Sequence, residues 1–200
     1  MARKFGLEVE GIDLLDFNIK RAQKKAIKFN ITNKVHFHEM DYSQLDFPDQ
    51  TFDGVYTMET LVHAADYEQA LKEFHRVLKP GGKIVLFEYS VPPHRELSER
   101  QQKILEFTAK ASAAPSLPRF IHGSFIRSLE KPGFECLSTE DIKENIMPMV
   151  RKLARVGYFP YRFAKLIGIQ KNLVNAMLAV EFYKYKDLGR YNIVVGRKVT

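Results

Sequence analysis

Short apolar runs that close on an acid alternate with helical stripes through the first half of the chain. Residues 1–5 read as the tail of a helix stopped by Gly6. Leu7, Val9, Gly11 and Ile12 then predict a strand ending at Asp13, and Ile19, Ala22, Ala26 and Ile27 recur at helical spacing over 17–29, a helix closed by Asn30 and Asn33. A strand over 35–40 ends at Asp41. Phe52, Val55 and Tyr56, bounded by the turn residues Pro48, Asp49 and Gln50, predict another strand, which leads into Glu59 and His63. Asp66 is placed to cap a helix over 67–78 whose stripe is Ala70, Leu71, Phe74, Val77 and Leu78. A Leu78-Lys79-Pro80-Gly81-Gly82 turn precedes an apolar strand over 83–87 that closes on Glu88 and Tyr89. This alternation predicts an α/β fold with a parallel sheet covered on both faces. Polar groups at the carboxyl ends of such strands mark where open α/β sheets place ligands.

After Glu88 the rhythm changes. Pro92 and Pro93 break the chain, 96–111 reads as an amphipathic helix, and Pro115 and Pro118 break it again. A short helix over 125–129, a cap at Gly133, a strand over 134–138, a mostly helical segment over 141–188 and a last strand over 191–195 complete the pattern. That helical segment is interrupted at Pro148, Gly157, Pro160 and Gly168 and is rich in aromatics: Tyr158, Phe159, Tyr161, Phe163, Phe182, Tyr183 and Tyr185. The expected organisation is an α/β core over 1–140 and a helical segment with the final strand over 141–200.

Composition narrows the function class. The 200 residues and 45% hydrophobic content suffice for one domain with a sizeable core. The net charge of +7 is spread along the chain, without the basic, aromatic-interleaved face of a nucleic-acid platform, so no nucleic-acid partner is expected. Cys136 is the single cysteine, which excludes an intrachain disulfide and a cysteine-built metal site, and suits an intracellular, cytoplasmic address. No apolar run approaches the roughly 20 residues of a membrane span, so any membrane contact is expected to be peripheral.

The residues Gly11-Ile12-Asp13, Asp41, the stretch 52–63 and Leu78-Lys79-Pro80-Gly81-Gly82 resemble class I S-adenosylmethionine-dependent methyltransferases, with their Rossmann-like sheet. The Tyr-x-x-Glu-x-x-x-His-Ala pattern (Tyr56, Glu59, His63, Ala64), the acid at Glu88 and the terminal Gly196-Arg197-Lys198 narrow the resemblance to the sterol 24-C-methyltransferase family. The family's first strand and glycine-rich loop would lie before Met1. The expectation is therefore a fragment, a truncated gene product, or a sheet in which the neighbours of that strand have closed the gap.

The resemblance implies S-adenosylmethionine as cofactor, with Asp13 at the ribose and Asp41 and Tyr42 at the adenine. The plainer readings are a helix cap for Asp13 and a solvated loop acid for Asp41. It also implies an apolar, sterol-like substrate methylated at an alkene carbon, with contact at the endoplasmic reticulum or a lipid droplet. Such a reaction develops positive charge and then releases a proton, so Glu59, His63 and Glu88 are the candidate stabilisers and bases, and Tyr56 and Tyr89 offer aromatic faces. Against this stand a backbone-satisfied structural histidine at His63 and cap or ion-pair roles for Glu59 and Glu88. The aromatics of 158–185 are read as a substrate-pocket wall, as a membrane-facing surface alongside Arg151, Lys152, Arg155, Arg162 and Lys165, or as plain core of a helical lid. The remaining alternative is a non-catalytic protein that keeps the apolar pocket, or a methyltransferase for another lipid or natural product.

Overall fold

The strand β4 (Leu78–Ser90) is the axis of the computed structural model, which describes residues 1–168, Val180, Tyr183 and 188–199. It runs parallel to β3 (Phe52–Met58) and antiparallel to β6 (Arg190–Lys198), and β6 in turn pairs antiparallel with β5 (Phe134–Asp141). The order β3-β4-β6-β5 is a four-stranded sheet. A second sheet holds β1 (Val9–Asp13) and β2 (Val35–Glu39), paired in parallel. No ladder joins β1 to β3, so the closed gap is not the arrangement found.

β4 is longer than the strand over 83–87 that its hydrophobicity predicts. Leu78 pairs with Phe52 at one end, and Glu88 to Ser90 pair with Asn192 to Arg190 at the other, so tertiary partners extend it both ways. The Lys-Pro-Gly-Gly bend stays inside the strand as a register shift between Phe52 and Gly54. Its glycines answer real constraints: Gly81 has φ 78°, and a Cβ on Gly82 would lie 2.8 Å from the Lys79 carbonyl oxygen.

Helices cover the faces. α1 (Ala2–Phe5) ends on Gly6 in the left-handed region, and α2 (Asp16–Lys28) buries Ile19 and Ala26. Ile27, expected on the apolar stripe, is exposed, because α2 covers a two-stranded sheet and buries only those two residues. Asp66 accepts from the backbone N–H of Glu68 and Gln69 and starts α3 (Tyr67–Val77), whose Ala70, Leu71 and Val77 are fully buried beneath Leu78, Ile84 and Leu86. α4 (Glu99–Ala111) begins three residues later than its amphipathic pattern predicts, because Ser98 and Gln101 form a reciprocal capping box. α5 (Ser124–Glu130) precedes β5, and α6 (Lys143–Leu166) follows it.

α6 corrects the expected breaks. It runs unbroken through Pro148, Gly157 and Pro160, on a buried face of Met147, Val150, Ala154, Tyr161 and Ala164 at helical spacing. Each proline removes one helix hydrogen bond, and tertiary packing outweighs that loss here. Among the described residues no helix is long and apolar enough to cross a membrane.

Candidate functional site

A cavity of about 630 Å³ opens beyond the carboxyl ends of β3 and β4, where the parallel strands release the chain into turns. Ile104 and Leu105 of α4 and Met149, Val150 and Leu153 of α6 give it an aliphatic wall, and Glu59, His63, Tyr89 and Ser90 supply polar groups. The aromatics of 158–168 are not this wall. Tyr158, Phe159 and Phe163 are exposed and Tyr161 is buried in the core, while Phe182 and Tyr185 lie outside the described residues.

Glu59 sits in the first residue after β3 with φ 55°, a left-handed conformation that is costly for a residue with a Cβ. Three clamps hold the turn. The Glu59 N–H donates to the Phe87 carbonyl at 2.8 Å, the Tyr42 hydroxyl donates to the Thr60 carbonyl at 3.0 Å, and Glu88 accepts from the N–H groups of Thr60 and Leu61 at 3.0 and 2.8 Å. So constrained, the Glu59 carboxylate accepts from the Tyr191 hydroxyl at 2.9 Å. Burial first, then bonding to Glu59, pushes the Tyr191 phenol well above its ordinary range; Tyr89 is pushed up by burial and by the Glu59 charge and hydrogen bond. Both hydroxyls therefore stay protonated and act as donors to the carboxylate.

Glu88 lies elsewhere than expected. It is 1% exposed, on the β4 face shared with Ile84 and Leu86, and it does not line the cavity. Burial pushes its carboxyl up to about 7, against the pull of the Thr60 and Leu61 N–H groups, and its second oxygen has no partner among the described residues. Its Oε1 anchors the turn that follows Glu59.

His63 closes the short turn Leu61–His63 and reaches the cavity. Its Nδ1 lies 2.9 Å from the Ala113 carbonyl oxygen, which can only accept. Nδ1 therefore carries the proton, leaving the lone pair on Nε2 and making this ring a proton acceptor oriented by backbone. Tyr56 is on the half-exposed sheet face, edge-on to Phe87 at 5.6 Å, outside the cavity.

The acids at the ends of β1 and β2 form a second group. Met40 N–H donates to the Asp13 carbonyl at 3.1 Å, which brings the two strand ends together. Asp13 accepts from Leu15 N–H and the Asn18 amide, and Asp41 accepts from the N–H and hydroxyl of Ser43 through one oxygen. Asp41 thus matches the loop-acid reading, whereas Asp13 is not the cap of α2, whose N-cap is Leu15 without a side-chain bond; Asp13 ties the turn before the helix, and both carboxylates retain lone pairs. Tyr42 is turned inward instead: its ring tilts against Phe74 at 6.1 Å, and burial, then the Asp41 and Glu88 charges, push its hydroxyl up to about 12.

Sequence reading misses Ser90, His122, Tyr191 and Asn192. They meet because β6 returns antiparallel to β4, setting Tyr89 opposite Tyr191 and Glu88 opposite Asn192. No local spacing signals a meeting across that much chain.

A family model described as a methyltransferase domain matches residues 1–86. The S-adenosyl-L-methionine-dependent Diels-Alderase iccD of Talaromyces variabilis is 34% identical over 200 residues, covering 98% of this chain and 68% of that protein. Sterol 24-C-methyltransferase ERG6 of Saccharomyces cerevisiae is 30% identical over 191 residues, covering 95% of this chain but 46% of that protein. The crystal structure of the (4+2)-cyclase SpnF superposes with a TM-score of 0.77 at 22% identity over 100% of this chain and 70% of that one, a likeness of fold. The chain thus spans about two thirds of the first relative and less than half of the second. Its strand pattern, its strand-end acids and these relatives together make it a member of the class I S-adenosylmethionine-dependent methyltransferase family.

Proposed function

We propose that this protein acts on an apolar, alkene-bearing substrate of sterol or triterpenoid type, held in the cavity between α4 and α6, and that the reaction is methylation of an alkene carbon. The observation that carries the reading is the pairing, on one aliphatic cavity, of the Glu59 carboxylate with the His63 ring. Asp13 and Asp41 would hold the adenosine half of S-adenosylmethionine through their remaining lone pairs. The chemistry that the bound group supplies is an electrophilic methyl.

The chain's own residues account for the rest. The aliphatic wall excludes water and orients the substrate. Glu59, fixed by Tyr191 and Tyr89, places a negative charge near an alkene carbon that becomes positive, where low dielectric strengthens the attraction. Nε2 of His63 is the acceptor for the proton that then leaves.

A relative of which this chain covers 68% is a Diels-Alderase, which favours a second reading: cyclisation of a polyene folded by the same cavity, with the two tyrosine hydroxyls and Glu59 polarising it. One experiment separates the two. The protein is given S-adenosylmethionine with a sterol bearing a side-chain alkene, and separately with a linear conjugated polyene, and products and S-adenosylhomocysteine are followed. Methylated sterol with stoichiometric S-adenosylhomocysteine, reduced about a hundredfold in Glu59→Gln, is the expected result. Full turnover in Glu59→Gln would remove Glu59 from the role assigned to it. Cyclised polyene without S-adenosylhomocysteine would replace methylation by the second reading.

A further inference from the structure

One polar cluster on the cavity wall has no part in the chemistry above. Ser90, the last residue of β4, is buried and lines the cavity beside Val91, Pro92 and Leu188. Its Oγ lies 2.8 Å from Nδ1 of His122, and His122 Nε2 lies 3.0 Å from the Leu188 carbonyl oxygen. The Asn192 amide nitrogen lies 3.0 Å from the same Oγ and 3.1 Å from the Glu88 carbonyl oxygen.

Hydrogen-bond polarity fixes every proton in this cluster. The Leu188 carbonyl can only accept, so His122 Nε2 carries the hydrogen and Nδ1 bears the lone pair. Burial lowers the affinity of this ring for a second proton, as does Arg190, against the opposing pull of the Leu188 carbonyl, Asp141 and Glu96. The Ser90 hydroxyl must therefore donate to His122, and it must accept from Asn192, whose amide also donates to Glu88. One oxygen lone pair is left, on a cavity wall that is mostly apolar and carries Tyr89 and Arg190 nearby.

We infer that Ser90, locked by His122 and Asn192, is the acceptor for a hydroxyl group carried by the apolar ligand of this cavity. The inference rests on the cavity being the substrate site, as proposed above. An acceptor with no proton to give selects a donor, so it favours an alcohol over the matching hydrocarbon. A neutral donor suits it best, because an ammonium held there would be desolvated with a single neutral partner. The substrate class is thereby narrowed to apolar alcohols.

The test is calorimetric titration of the protein at pH 8 with cholesterol and with geranylgeraniol, each compared with its deoxy hydrocarbon. On whichever pair binds, the alcohol is expected to bind tighter. Ser90→Ala should weaken the alcohol about tenfold while leaving the hydrocarbon within about twofold. Ser90→Thr, which keeps the hydroxyl, should retain the preference, and circular dichroism reports whether each variant is folded. An alcohol preference that survives Ser90→Ala overturns the assignment, as does equal binding of alcohol and hydrocarbon by the unaltered protein, and both outcomes leave the cavity reading standing. Failure of all four compounds to bind the folded protein overturns the cavity reading and this inference with it.

Discussion

The two sheets of this protein are held together very differently. Under β3-β4-β6-β5, Leu61, Leu71, Leu78, Ile84 and Leu86 are completely buried, and α3 packs its whole apolar stripe on them. Around β1-β2, only Ala2, Ile19 and Ala26 are buried, whereas Phe17 is 71% and Ile27 69% exposed. The cavity belongs to the first region, and Asp13 and Asp41 to the second. Dense packing thus surrounds Glu59 and His63, and the acids at the ends of β1 and β2 depend on local turns for their placement.

Core truncation tests that contrast most strongly. Leu86→Ala is expected to cost about 2–5 kcal/mol in urea unfolding, and Ile27→Ala, on the poorly covered side, about 0.5 kcal/mol or less. Similar losses at both positions would erase the difference between the regions.

A second test uses Glu88. Its folded carboxyl is raised to about 7 from an ordinary 4.5, so the native state holds more protons than the unfolded chain across that interval. Stability should therefore fall as pH rises from about 4.5 to about 7 and should level off above. Glu88→Gln should flatten this dependence and unfold at higher urea than the unaltered protein at pH 8, by about 1–3 kcal/mol. An unchanged pH profile in Glu88→Gln would place the raised proton affinity elsewhere.

The helix starts offer a finer comparison. α3 has its Asp66 cap, and Asp66→Ala should lower stability by about 1 kcal/mol. The N-cap of α2, Leu15, has no side-chain cap bond to offer, and Leu15→Ser there should raise stability by about 0.5 kcal/mol. Thermal unfolding followed at 222 nm reads both.

How much of this was legible in the sequence depends on the range of the forces involved. Most local signals hold: Gly6 as a stop, Asp66 as a cap, the α3 stripe and the acids at or just after the ends of β1 and β2 stand where pattern and propensity put them, while Ile27 on α2 and the start of α4 do not. Long-range ones were not. The lengthened β4, the continuous α6 and the inward turn of Glu88 and Tyr42 are all set by partners distant in the chain. In the site, Glu59 and His63 could be singled out as neighbours on one turn. Tyr191, which bonds Glu59, and Ser90 with His122 could not, because only the β4-β6 register brings them together.

That register carries a consequence for how the protein is made. β6 lies between β4 and β5, and Val85 waits for Val195, more than half the chain later. At ordinary translation speeds the ribosome takes on the order of ten seconds to cover that distance. Throughout that time β4 lacks its β6 partner, and once residues 134–141 are made β5 lacks it too, each edge able to pair with a neighbouring chain. Synthesis of residues 85–195 is therefore a stage at which the centre of the sheet, and not only its final edges β3 and β5, is open to mispairing.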